Sequence, residues 1–222
     1  MKNKILLIGA GGHCRSIIDS INKELYADIG ILVSTNEQRI QQDSVLGISI
    51  IGTDADAQRL FMEGYSNAVI ALGSIGNPAD RIELYTKYKA IGFNFPTIID
   101  STAIVSKNSF IGDGVFIAKG SVLNTGVCVG ECVIINTGAI IDHDCNIGDF
   151  VHIGPNASLS GEVIVGRCAH IGVGSSIIQC ICIGENTVVG AGSVVTRDIP
   201  PNCTAVGVPA IPIKSRNVKL DG

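Results

Sequence analysis

The sequence contains no run of more than two adjacent basic residues, and its net charge is −4 with a pI near 5.5. Nucleic acid and anionic membrane are therefore poor partners, because both select a basic surface. No apolar stretch approaches the roughly 18–20 residues that a membrane span requires, so a mean hydropathy of +0.40 must be distributed by a pattern. The eight cysteines include no Cys-x-x-Cys, and Cys180-x-Cys182 and His143-x-Cys145 lack the spacing of zinc ligands. We expect reduced thiols acting as small apolar fillers, and no metal. The opening MKNKILLIGAGGH has no signal-type cleavage site and reads as a first strand, which points to a cytoplasmic chain.

Up to about residue 95, strand and helix signals alternate. KILLIG, ADIGILVS and NAVIALG read as strands; HCRSIIDSIN, DADAQRLFMEGY and NPADRIELYTKYKAIG read as helices. Such alternation builds a small parallel α/β sheet. Around Phe95-Pro96-Thr97 this pattern stops.

From Val105 to Val195 every sixth residue is aliphatic, sixteen positions without a miss, and the residue two places earlier is small or β-branched from Ser109 to Ser193. A period of six is neither 2 nor 3.6. It is the hexapeptide signature of a parallel β-helix, in which three hexapeptides make one triangular coil. Residues 18 apart then stack about 4.8 Å from one another, and glycine, Asn and Asp serve the corners.

This register places the histidines. His143 falls two places after the inward Ile141, near a corner where a side chain can leave the prism, with Asp144 beside it. His152 and His170 each precede an inward residue and project from one face in successive coils, where they would be open to a ligand. Imidazole, with a pKa of about 6.5, can take a proton from an attacking amine or hydroxyl at neutral pH, and a neighbouring carboxylate fixes its tautomer. Cys145 occupies the small inward position, which argues against an acyl-cysteine intermediate. The GAGGHC turn after the first strand offers N–H groups and a helix N-terminus to a diphosphate. Ser34-Thr35 stands where a dinucleotide fingerprint needs an acid, so NAD is disfavoured. GSIGNPADR, residues 73–81, is either a second polar loop with a function or a plain helix start with Pro78 near its first turn.

The repeat, with GAGGH at 9–13, INTGAIIDHDC at 135–145, GAGSVVTRDIP at 190–200 and GVPA at 207–210, resembles the bacterial sugar acyltransferases of the sialic acid O-acetyltransferase and bacillosamine-type N-acetyltransferase family. The resemblance spans essentially the whole chain. It implies a Rossmann-like parallel α/β domain over residues 1–96 and a left-handed β-helix with a closing segment over 97–222. It also implies a homotrimer with acetyl-CoA in the groove between neighbours. By the same resemblance His143 is the base and Asp144 its orienting acid, while Asn136 and His152 are further active-site positions. Gly161 is a backbone N–H donor to the thioester carbonyl, and His152, Val173 and Ala191, between Gly190 and Gly192, are coenzyme contacts. Gly9, Gly11, Gly12 and His13 face the phosphates of a nucleotide sugar, with Ser34 at the position where relatives often carry an acid. Ile211 departs from a frequent lysine.

The activity expected on that basis is acetyl-CoA-dependent N-acetylation of a nucleotide-linked amino sugar, of the 4-amino-4,6-dideoxy type. O-acetylation of sialic acid or another sugar hydroxyl remains the alternative. A structural β-helix without coenzyme binding, and a nicotinamide-dependent oxidoreductase, are the readings from other classes.

Overall fold

A computed structural model of the chain describes residues 3–35 and 42–216. Two compact units are formed: residues up to Gly73 with Asp80–Pro96, and Ser74–Ala79 with the chain from Thr97 onward. The short stretch 74–79 thus leaves the first unit in sequence and packs as part of the second.

In the first unit, KILLIG forms β1 (Asn3–Ile8), and Ile5, Leu6, Leu7 and Ile8 are all buried, as expected of a central parallel strand covered on both faces. It is followed by α1 (Gly12–Ser20), β2 (Tyr26–Val33), β3 (Ser44–Val45) and β4 (Ile48–Thr53). A 3-10 turn (Asp54–Asp56), α2 (Ala57–Met62), β5 (Asn67–Ile70) and α3 (Ala79–Ile91) complete the series. Helix α1 buries Cys14, Ile17 and Ile18, the spacing of a helix with one apolar face. The sheet order is β3-β4-β2-β1-β5.

One feature of this sheet departs from the sequence reading. The pair β3–β4 is an antiparallel hairpin, so the sheet is parallel only from β4 to β5. Its turn, Leu46-Gly47, has both residues at positive φ (47° and 78°), which matches the twist a two-residue hairpin needs. Leucine does not announce such a turn, which is why the hairpin is hard to see in the sequence.

The second unit begins with β6 (Ile98–Ile99) and then runs through sixteen two-residue strands, β7 (Ile104–Val105) to β22 (Val194–Val195). Each of the sixteen ends on the aliphatic residue of its hexapeptide. The strands form the three sides of a left-handed parallel β-helix. The first side holds the strands at Ile104, Val122, Ile140, Ser158, Ser176 and Val194; the second those at Phe110, Cys128, Asn146, Ile164 and Cys182. The third holds those at Phe116, Ile134, His152, His170 and Val188. Parallel pairing in steps of 18, such as Ile135 with Ile153 and His152 with His170, fixes the register. An antiparallel pair, β23 (Cys203–Gly207) and β24 (Ala210–Ser215), extends the third side and closes the prism.

The inward aliphatics make one continuous core, and Ile117, Ile135, Ile141, Ile153 and Ile171 are wholly buried. Each such side chain contributes about 1.5–3 kcal/mol by leaving water. Where the small inward position is polar, its hydroxyl is satisfied by backbone: Ser121 donates to Ala118 O at 2.6 Å and Ser175 to Gly172 O at 2.9 Å. Every corner from Gly114 to Gly192 turns through a residue at positive φ. Glycine takes many of these places, but Asp144 (φ 60°) and Asn156 (φ 54°) also adopt this conformation, which short polar side chains tolerate best.

Candidate active site

The corner between the first and second sides holds His143 and Asp144 side by side, as the register anticipates. His143 and Asp144 leave the prism there, and their side chains are 48% and 61% exposed, so both can meet a ligand. His143 Nδ1 lies 2.9 Å from Asp144 Oδ2. A carboxylate can only accept, so Nδ1 carries the proton and Nε2 of the neutral ring presents its lone pair outward from the pair. The hydrogen bond to Asp144 raises the imidazole pKa above its ordinary value; Asp142 and Glu162 act in the same direction through their charge, while desolvation opposes them. Asp142 has a separate task. Its Oδ1 accepts the His143 backbone N–H at 2.8 Å and the Asn124 side-chain amide at 2.8 Å, and these bonds hold its carboxyl below the usual range. Gly161, one coil on from His143, lies beside the imidazole.

A second group of predicted residues gathers at the corner between the third and first sides. Asn136 Nδ2 donates to His152 Nε2 at 3.1 Å, and His152 Nδ1 in turn meets the carbonyl of Ser74. Those two bonds assign the proton to Nδ1. Val173 and Ala191 stand exposed on the same corner in successive coils, 18 residues apart. Between the two corners runs one side of the prism, on the order of 13 Å of extended backbone from Gly138 to Asp142. The structure therefore brings His143, Asp144 and Gly161 together, and Asn136, His152, Val173 and Ala191 together, but not the two groups within one chain.

His152 and His170 correct the expectation of open, ligand-facing rings: they are 8% and 9% exposed. Both do project from the third side, but the segment 74–79 crosses it, with Ser74 on His152, and Arg216 bonding the carbonyl of Gly76. The two rings meet edge to face, with centroids 4.8 Å apart. Burial, then the neighbouring His152 and Arg216, pushes the His170 pKa down to about 4, so it is neutral at physiological pH. Arg216 also donates from Nε to Asn186 O at 3.1 Å.

In the first unit, Gly9, Gly11, Gly12, His13 and Ser34 line one cavity of about 310 Å³. Gly9 sits at φ 113°, and a Cβ there would come within 2.4 Å of Leu72. At Gly11 and Gly12 a Cβ would meet no protein atom, so these glycines keep open space at the mouth of α1. Gly11 caps that helix without a side-chain hydrogen bond, which leaves its first-turn N–H groups suited to an anion. Cys14, in the third glycine's place, is buried, and burial raises its thiol to about 12; it is inert filler. Cys128, Cys180 and Cys182 are exposed, so the filler reading does not extend to all eight cysteines.

The sequence reading missed Asp54, which enters the same cavity from the end of β4. Its Oδ1 accepts the Tyr88 hydroxyl at 2.8 Å, and Lys87 Nζ lies 3.5 Å from Oδ2. DADAQRLFMEGY reads as a helix, and without β4 in view nothing in the sequence marks its first residue as a strand-end acid like the one sought at Ser34. The neighbouring DADAQ does begin helically, with Thr53 and Asp56 forming a capping box. The loop 73–81 also ends in structural work: Asn77 Oδ1 accepts the Ala79 N–H at 3.1 Å, and Arg81 is buried with Nη1 on the carbonyls of Ile70 and Leu72. Among the described residues no cluster of three or more His, Cys, Asp or Glu could hold a metal ion, and no helix is long and apolar enough to cross a membrane.

A left-handed hexapeptide prism does not by itself define an activity, but similarity to solved sugar N-acetyltransferases makes the chain an acyltransferase. Comparison with known proteins narrows it. The family model of the PglD N-terminal domain matches residues 4–88. Perosamine N-acetyltransferase from Caulobacter crescentus, solved as an asparagine-for-histidine variant with CoA and GDP-perosamine, is 34% identical. The match covers 96% of this chain and 98% of that one, with a TM-score of 0.88. The acetyltransferase domain of PglB from Neisseria gonorrhoeae, solved with acetyl coenzyme A, is 33% identical over 96% of this chain and 100% of its own, with a TM-score of 0.86. No curated protein matches the sequence. The chain belongs to the family of bacterial hexapeptide-repeat sugar acetyltransferases.

Proposed function

We propose that the protein transfers the acetyl group of acetyl-CoA to the amine of a nucleotide-linked amino sugar, of the 4-amino-4,6-dideoxy class. The observation that carries this reading is similarity over nearly the whole of both chains to an N-acetyltransferase solved with CoA and GDP-perosamine. His143 is the general base. Its Nε2 accepts the proton released as the sugar amine attacks, and Asp144 holds the ring in the accepting tautomer and stabilises the imidazolium. Acetyl-CoA supplies an activated thioester whose thiolate leaves readily. The backbone N–H of Gly161, a residue next to the imidazole, stabilises the oxyanion of the tetrahedral intermediate, for which one such donor contributes about 3–4 kcal/mol.

Residues 1–96 are the nucleotide-sugar-binding domain and 97–222 the acyltransferase domain. Gly9, Gly11, Gly12 and His13 hold the phosphates, and Asp54 supplies a carboxylate that Ser34 lacks. Val173 and Ala191 line the coenzyme path: both are small and exposed on one corner, which leaves room for a pantetheine arm. The assembly is a homotrimer in the cytoplasm. Its support is the separation of the two corner groups, since side-by-side packing of three prisms lets His143 of one chain face the Asn136–His152 corner of the next.

Mass-spectrometric analysis of the product, with acetyl-CoA and a panel of UDP-, dTDP- and GDP-linked 4-amino-6-deoxy sugars and sialic acid, tests the assignment. The expected product is one nucleotide sugar gaining an acetyl group that resists hydroxylamine, as an amide does. An acetyl ester on sialic acid would replace this reading with O-acetylation, and no product from any acceptor would refute it.

A further inference from the structure

Side chains at a prism corner stack on those one coil above and below, about 4.8 Å away. At the His143–Asp144 corner the neighbours are glycine on opposite sides. Asp144 follows Gly126 by 18 residues, and a Cβ on Gly126 would lie 2.2 Å from Asp144 Oδ1 and 3.2 Å from its Cγ. His143 precedes Gly161 by 18, and a Cβ on Gly161 would lie 2.6 Å from both Cε1 and Nε2 of the imidazole. The carboxylate and the ring therefore occupy the volumes that those two side chains would fill. We infer that Gly126 and Gly161 are positioning residues: the space they leave in adjacent coils holds Asp144 and His143 in the geometry that joins Nδ1 to Oδ2.

The ordinary explanation for a corner glycine is its backbone. Gly126 has φ 72°, and several corners use glycine for that reason alone. Gly120 is one of these: it has φ 65°, and a Cβ there meets no atom within 4 Å. Asn156 and Asn186 show that this prism accepts asparagine in the same conformation, at φ 54° and 53°. Backbone demand and the demand for space are thus separable. Gly120→Ala imposes only the first, Gly126→Ala imposes both, and Gly126→Asn relieves the first while keeping the second. At Gly126 the obstructed atoms belong mainly to the free end of Asp144, so the carboxylate can swing away while the corner stays folded, breaking the bond to His143. Gly161 has no positive φ, and an alanine there pushes directly on the ring.

The kinetic consequence rests on the acyl-transfer reading; the titration does not. The groups facing His143 are Asp144, Asp142 and Glu162, and only Asp144 bonds the ring. With four histidines in the chain, each imidazole can be followed by NMR as pH changes. In Gly126→Ala and Gly126→Asn the His143 midpoint is expected to fall toward the ordinary value of about 6.5, as in Asp144→Asn, while Gly120→Ala leaves it unchanged. Where acetyl transfer is measured, kcat should fall roughly 10- to 100-fold with KM for both substrates nearly constant, the scale of a small misplacement of a reacting group. The acid limb of kcat/KM should move with the NMR midpoint. Adding Gly126→Ala to Asp144→Asn should cost no further activity, and Gly161→Ala should lower kcat without altering the native circular dichroism. A His143 midpoint that stays native in both Gly126 variants overturns the inference, as does an equal loss in Gly120→Ala. Because the titration needs no substrate, it decides the matter even if no acceptor is acetylated.

Discussion

Two histidine environments on one prism differ in everything but residue type. His143 stands at an exposed corner with a carboxylate on Nδ1, and its pKa is raised. His170 lies on the third side, buried against a second imidazole and near Arg216, and its pKa is lowered to about 4. The period places both outward. What separates them is the corner, which brings a negative partner to one, against the cover of segment 74–79 and the positive neighbour at the other. Placement on the repeat supplies a direction; the immediate neighbours decide whether the ring exchanges protons near neutral pH or remains neutral.

The largest test of this contrast removes the exposed ring. His143→Ala is expected to lower kcat roughly 10²- to 10⁴-fold, the usual range for a general base, with binding of both substrates retained in calorimetry. Near-native turnover would place the base elsewhere. Asp144→Asn comes next, with kcat reduced roughly 10- to 100-fold. Its acid limb should move to lower pH, because a raised pKa keeps the ring protonated, and so inactive, to higher pH in the native enzyme. A limb that stays in place would show that Asp144 does not set the His143 pKa.

In the first unit, Asp54→Asn should raise KM for the nucleotide sugar roughly fivefold with kcat unchanged, the signature of a lost binding contact. A change in kcat alone would remove Asp54 from the binding role.

The buried ring makes its prediction in stability rather than rate. The unfolded chain takes up the His170 proton near pH 6.5, whereas the folded protein resists until about 4. Stability is therefore lost as pH falls through that window, by about 3 kcal/mol on the linkage relation. Urea unfolding at stepped pH should show this slope, and His170→Leu should flatten it. The smallest expected effect is at Cys145, whose thiol points inward, donates to Ser160 O at 3.1 Å and is raised in pKa chiefly by burial. Cys145→Ala should change kcat less than about threefold with no acyl adduct by mass spectrometry, since a buried thiol is a poor nucleophile.

The prism was legible because a single constraint, an aliphatic side chain every sixth residue, is repeated until chance is excluded. The same register found the His143 corner and the pairing of His152 with His170. It could not report what covers a side: the Ser74 carbonyl on His152 comes from 78 residues away, and no periodicity encodes it. Asp54 was hidden for a related reason. The strand that carries it into the cavity is half of a hairpin turned by Leu46-Gly47, and a leucine at positive φ gives no turn signal. Gly126 reads as any other corner glycine until the volume beside it is known, and Gly161, singled out for its N–H, gives no sign in the sequence of the ring packed against it.

The claim that His143 is the proton acceptor is tested most directly by measuring the same protein two ways. The pH dependence of kcat/KM for acetyl transfer is set against the NMR titration of His143 in native protein and in Asp144→Asn. The account predicts that the acid limb and the imidazole midpoint coincide in both, with both above about 6.5 in the native protein and both lower in the variant. A limb that ignores the His143 midpoint, or that moves apart from it in Asp144→Asn, would contradict the account.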